Sequence, residues 1–251
     1  MNFSFGQQYD GVILEKGKVD RNNVIYTPGK VFVYEFQILS GDQEYYLKNK
    51  EQDTFKLTEN RAEALLKEIH LTVIRPKLFQ RTNRNQTQII YSYEPDPKIA
   101  VFTGLVENET NIWLHPPRKG FFRALETCPF PYIQLGEENQ EEWKDSMLIS
   151  SYWSDSVWGV WTDKLLLNYH YKREGKERIL TNFGEVECVR ILAKAHSEIG
   201  SSSLVAHFSG EYGFVQLTYT LFTGMQVVLK LKEVKNELVL RDGRDFFESR
   251  W

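Results

Sequence analysis

The sequence predicts a mainly β protein of α+β type, a curved antiparallel sheet or open β-barrel with one or two packed helices. Three observations point there. Aromatic residues are in excess, with 6 Trp, 13 Tyr and 16 Phe, and such side chains favour strands and broad apolar contacts. Runs of β-branched and aromatic residues recur between short polar turns. Along residues 188–196, Val189, Ile191, Ala193 and Ala195 alternate with Cys188, Arg190, Lys194 and His196, the pattern of a sheet wet on one face.

The elements follow in order. Residues 31–39 form a strand, Ser40-Gly41-Asp42 a turn, and residues 44–47 and 54–57 complete a meander. The period then changes. Asn60 followed by Glu63 resembles a capping arrangement, and Ala62, Leu65, Leu66 and Ile69 share one helical face, which predicts a helix over 60–70 packed on the sheet. Pro76 halts the chain beyond residues 71–74, and residues 88–93 form another strand. Glu94-Pro95-Asp96-Pro97 reads as a turn and as the boundary between two subdomains, 1–98 and 99–240, unless the two merge into one continuous domain.

After a strand over 100–106 comes an irregular aromatic stretch from Asn111 to Tyr132, and then Trp143, Trp153, Trp158 and Trp161. Residues 165–171 form a strand ended by a turn at Arg173-Glu174-Gly175-Lys176. Residues 186–196, 204–208, 214–222 and 227–231 form antiparallel neighbours, with Gly213 and Gly224 at turns. Residues 241–251 read as a charged, solvated tail that Phe246, Phe247 and Trp251 could dock.

Composition excludes several classes. The 251 residues are 41% hydrophobic and 26% charged, which suits a chain with a large core rather than a disordered one. With 31 Lys+Arg against 34 Asp+Glu and no dense basic block, nucleic acid is not the expected partner. No apolar run is long enough for a transmembrane segment. Cys128 and Cys188 are too few for a disulfide scaffold. The start, Met1-Asn2-Phe3-Ser4-Phe5-Gly6, has neither a basic nor an apolar export region, so the sequence as it stands reads as cytoplasmic, the alternative being a periplasmic protein or lipoprotein whose signal has been removed.

Motifs for chemistry are sparse. Neither a Walker A nor a dinucleotide-binding glycine pattern occurs, so no cofactor is expected. His115, Arg118 and Glu126 lie close in sequence and could act as an acid–base pair with an anion-binding guanidinium, or simply pin a Pro-Pro loop. Cys188, His196 and His207 could share one sheet face and hold a metal, though no close ligand pair of the zinc type is present. The Trp-rich stretch could line a lipid-sized pocket or plug the end of a sheet.

The segments Trp113-Leu114-His115-Pro116-Pro117-Arg118 and Pro129-Phe130-Pro131-Tyr132 resemble a motif pair of an uncharacterised bacterial family. In that family a Trp-rich stretch and a closing antiparallel sheet follow. The closing part here, with Thr181-Asn182-Phe183-Gly184 and Tyr212-Gly213-Phe214-Val215, also resembles bacterial envelope β-proteins of unknown function. The resemblance covers roughly residues 111–231 and implies a curved sheet that cradles an apolar molecule. From the aromatic content, the long alternating strands and the missing catalytic motifs, the expected function is non-catalytic binding of a lipid-like or other amphipathic molecule, with Trp113, His115, Arg118, Trp153, Trp158 and Trp161 around it. The alternatives are a small hydrolase or isomerase using His115, Arg118 and Glu126, and a structural or protein-interaction module.

Overall fold

The computed structural model describes residues 9–10, 15, 17–50, 54–77, 81, 83–135 and 141–249. The opening residues 1–6 and Trp251, which enter the expectations above, lie outside them. The first strands are β1 (Tyr9–Asp10), β2 (Lys30–Ser40), β3 (Gln43–Lys50), β4 (Thr54–Thr58) and β5 (Glu68–Val73). They are followed by β6 (Thr87–Glu94), β7 (Asp96–Glu107), β8 (Asn111–Leu114), β9 (Tyr132–Gln134) and β10 (Glu142–Ser150). The last are β11 (Lys164–Thr181), β12 (Gly184–Ser197), β13 (Gly200–Ser209), β14 (Gly213–Thr220) and β15 (Gln226–Asn236).

These strands make one antiparallel sheet in the order β1-β10-β11-β12-β13-β14-β15-β2-β5-β6-β7-β8-β9, with β3 and β4 branching from β2. Its middle is the β15–β2 ladder, running from Gln226 opposite Leu39 to Asn236 opposite Lys30. The early and late parts of the chain therefore share one set of backbone hydrogen bonds. Residues 94–97, where the sequence places a subdomain boundary, lie at the tight connection of the β6–β7 hairpin. The sheet curls until its far ends approach without pairing. Tyr132 on β9 packs edge-on to Trp143 of β10 at 5.7 Å and to Tyr171 of β11 at 5.5 Å, and Arg173 donates from Nη2 to the Gln134 carbonyl at 2.5 Å.

The expected helix over 60–70 does not form. Only Arg61–Glu63 make a 3-10 turn, opened by Asn60, whose side chain accepts from the Ala62 amide at 3.0 Å. Tertiary partners override helix propensity here. The Leu65 and Leu66 amides donate to the Leu47 carbonyl, and the Lys67 amide to that of Glu94, while Ile69 sits fully buried in β5 between Tyr34 and Tyr93. The turn expected at Arg173–Lys176 is also absent. There Gly175, at φ +105°, sits at a register shift, and β11 runs on to Thr181. A glycine in the left-handed region can shift register without ending a strand.

The tail, expected to be solvated unless Phe246, Phe247 and Trp251 dock it, forms a short helix, α1 (Gly243–Glu248), docked by Phe246. Asp242 caps it by accepting from the Asp245 amide at 2.9 Å. Phe246 is fully buried against Ile74, Ile90 and Leu240, so the apolar face of this turn outweighs its charged one.

Candidate functional site

The concave side of the sheet holds residues 115–131 of the same chain. Pro116 and Pro117 bring the segment in extended and without amide donors, and Pro129 and Pro131 take it out the same way. Between them Gly120, at φ +58°, reverses the backbone against Phe55, whose amide nitrogen would lie 2.9 Å from any added Cβ. A 3-10 helix, Gly120–Thr127, then buries Phe121, Phe122, Ala124, Leu125, Glu126 and Thr127. Phe122 packs edge-on to Phe36 at 5.3 Å and stacks with Tyr93 at 5.7 Å.

Irregular backbone can lie inside a core only if its polar groups find partners. The sheet supplies them from inward-facing hydroxyls. Tyr91 donates to the His115 carbonyl at 2.7 Å, Tyr171 to that of Phe130 at 3.1 Å, and Ser202 to that of Thr127 at 2.6 Å. The Tyr93 hydroxyl accepts from the Lys119 amide at 3.1 Å. These four residues were missed in the sequence. The signal for two of them is tyrosine in place of phenylalanine at alternate positions of a buried strand, as at Tyr91 and Tyr93.

His115, Arg118 and Glu126 do come together. His115 Nδ1 lies 3.1 Å from the Pro116 carbonyl and 3.6 Å from Glu126 Oε1, and Arg118 Nη1 lies 3.3 Å from His115 Nε2. Arg118 Nη2 also donates to the Phe102 carbonyl at 3.3 Å. His115 is 4% exposed and Glu126 is fully buried. Since a guanidinium only donates, Nε2 accepts and Nδ1 carries the proton towards the Pro116 carbonyl. Both ring nitrogens are thus engaged within the chain. Burial, and next the Arg118 charge, hold His115 well below its usual pKa.

A pH dependence follows. The unfolded chain protonates this ring near pH ~6.5, whereas the folded ring resists the proton, so stability present above that pH falls below it by about 1.4 kcal/mol per pH unit. His207, also lowered by burial though opposed by Glu177, adds to the slope. Urea unfolding of His115→Gln between pH ~5.5 and ~6.5 is therefore expected to show a shallower loss than the parent. Equal slopes would mean that His115 takes up a proton in the folded state.

The tryptophans face their own neighbours. Trp113, Trp153, Trp158 and Trp161 are 3%, 7%, 4% and 5% exposed. Trp113 packs on Phe130 at 5.5 Å and on His115 at 5.8 Å, and Trp158 on Phe121 at 6.3 Å while donating from Nε1 to the Trp153 carbonyl. Arg118 lies over the Trp153 ring at 5.9 Å and Arg123 over it at 5.6 Å.

The three candidate metal ligands are dispersed. His207 lies opposite Arg190, and His196 opposite Ser201, to which its Nδ1 approaches within 2.8 Å. Six strand positions separate the two, roughly 20 Å at the usual rise. His207 pairs through Nε2 with Glu177. Among the described residues there is no group of three metal-binding side chains. Both cysteines are free and buried. Burial is the main cause that pushes the Cys128 thiol up to about 12 and the Cys188 thiol to about 11, which makes both poor nucleophiles.

This is an open antiparallel β-sheet protein wrapped around one of its own segments. No family model and no curated protein matches the chain. Among solved structures, it is similar to a protein described as exported and of YmcC-like fold from Bacteroides fragilis, at TM-score 0.41 and 9% identity, over 83% of this chain and 96% of that one. A protein described as a lipoprotein from Parabacteroides distasonis matches at TM-score 0.36 and 12% identity, over 84% and 96%. The hypothetical lipoprotein YmcC of Escherichia coli matches at TM-score 0.32 and 12% identity, over 86% and 92%. These are distant likenesses, and nothing about ligand or activity follows from them. Among the described residues no helix is long and apolar enough to cross a membrane.

Proposed function

We propose that this chain is a non-catalytic architectural and interaction module that makes its contacts on its outer surface, with no apolar cargo in the concavity. One observation carries the reading: residues 115–131 occupy the concave side, and their carbonyls are met by Tyr91, Tyr171 and Ser202. A lipid-like molecule in the same place would have to displace Phe122 and Leu125, both fully buried, and would leave those hydroxyls without partners, at about 1–3 kcal/mol for each buried group. The enzymatic alternative is disfavoured on the same ground, because His115 and Glu126 are sealed from any substrate and both nitrogens of the ring are engaged.

Native mass spectrometry of the purified chain, with a thermal melt in the presence of excess palmitate, tests the reading. The expected result is the mass of the polypeptide alone and an unchanged melting temperature. A co-purified lipid, or a melting temperature that climbs with palmitate concentration, would overturn it in favour of apolar cargo.

A further inference from the structure

At the β5 end of the sheet, away from the filled concavity, Gly17, Val19, Asp20, Arg21, Arg75 and Pro76 join Arg81 and Arg84 around an open cleft of about 510 Å³. Four guanidinium groups line it against one carboxylate. The arginines come from two segments far apart in sequence, which is why no basic block shows in the chain. Each segment is braced. The Glu15 amide donates to the Asn85 carbonyl, and Glu15 Oε2 accepts from Asn22 at 3.1 Å and from Asn108 at 2.9 Å. Arg81 Nη1 donates to the Gln86 carbonyl at 3.2 Å, and Asn83 to Gln86 Oε1 at 2.7 Å.

Asp20 is the unusual member. It is 4% exposed and holds φ at +63°, a left-handed conformation that non-glycine residues adopt sparingly and that recurs at ligand clamps. Its Oδ2 pairs with Arg81, and its carbonyl accepts from Arg75 Nη2 at 2.9 Å. Its Oδ1 is buried without a hydrogen-bond partner. Arg21, Arg75 and Arg84 are exposed, and guanidinium forks match the oxygens of a phosphate. The cleft therefore offers accessible cationic groups for an anion in a volume suited to a small organic molecule, while Asp20, closed off beneath them, braces Arg81 and Arg75.

We propose that this cleft binds a small phosphomonoester, with Arg21, Arg75 and Arg84 holding the phosphate and the open volume beside them taking its organic group. The assignment is independent of what fills the concavity.

Calorimetric titration of the full chain with glucose 6-phosphate, inorganic phosphate and glucose tests it. Glucose 6-phosphate is expected to bind once per chain, about tenfold more tightly than inorganic phosphate, with an affinity that falls as salt rises, and glucose not at all. Arg84→Ala, at an exposed position, is expected to weaken glucose 6-phosphate about tenfold with the circular dichroism spectrum unchanged. Equal affinity for the ester and for inorganic phosphate would overturn the phosphomonoester in favour of the bare anion. Undiminished binding by Arg84→Ala, or no binding of either anion, would overturn the site. Sedimentation with vesicles of phosphatidic acid in phosphatidylcholine, without binding of the soluble ester, would overturn the soluble ligand in favour of a lipid headgroup.

Discussion

Phe122→Ala is expected to destabilise the protein by about 4 kcal/mol, since removing a fully buried phenylalanine forfeits its transfer free energy and leaves a cavity. Phe122 stands where residues 115–131 meet the sheet, touching Phe36 of β2 and Tyr93 of β6. Its removal would loosen the segment from the strands on that side at once. Urea denaturation gives the value. Leu180→Ala, near the tip of the β11–β12 hairpin and 82% exposed, serves as the control and is expected to change stability by less than about 0.5 kcal/mol. Similar values for the two variants would mean that the segment does not pack as described.

Glu107→Gln is expected to cost roughly 3 kcal/mol, because a buried carboxylate that receives three backbone donors is replaced by a group whose amide nitrogen cannot accept. Glu107 ends β7 and is 5% exposed. Its Oε1 accepts from the Val24 and Ile25 amides at 2.9 and 2.7 Å, and its Oε2 from that of Tyr26 at 2.8 Å. The Tyr26 hydroxyl in turn accepts from the Phe214 amide at 3.0 Å, so the run before β2 is tied to β7 by the carboxylate and to β14 by the tyrosine. Hydrogen exchange at residues 24–26 is expected to speed up in the variant more than exchange in β13 and β14. A uniform change across the sheet would assign the loss to global stability alone.

The strand pattern was readable because it depends on local alternation. Ile191, Ala193 and Ala195 are buried while Lys194 and His196 are exposed, as the period of two requires, but the phase slips earlier in the strand, where Cys188, expected on the wet face, is buried and Val189, expected inside, is only partly so. The error at 60–70 came from a pattern that fits a helix equally well. Leu66 and Ile69 are buried as a helical face would be, but the Leu47 carbonyl and the pairing of β5 decide otherwise. Close spacing was enough to bring His115, Arg118 and Glu126 to one place. It could not reveal that the place is interior, because that depends on Tyr91 and Tyr171 reaching in from strands on either side. The tryptophans expected at a ligand's rim are buried for the same reason. The arginine cleft was invisible for the opposite one, since Arg21 and Arg75 meet only through the fold.

Hydrogen exchange across residues 115–131 asks most directly whether the chain itself fills its curved sheet. The amides of Phe122 and Cys128, bonded to Lys119 and Leu125 carbonyls within the segment, are expected to exchange as slowly as those of β2 and β15, opening only with global unfolding. Exchange there at the pace of an exposed loop, with β2 and β15 still protected, would show that the segment leaves the concavity freely and that the hollow is open to a guest.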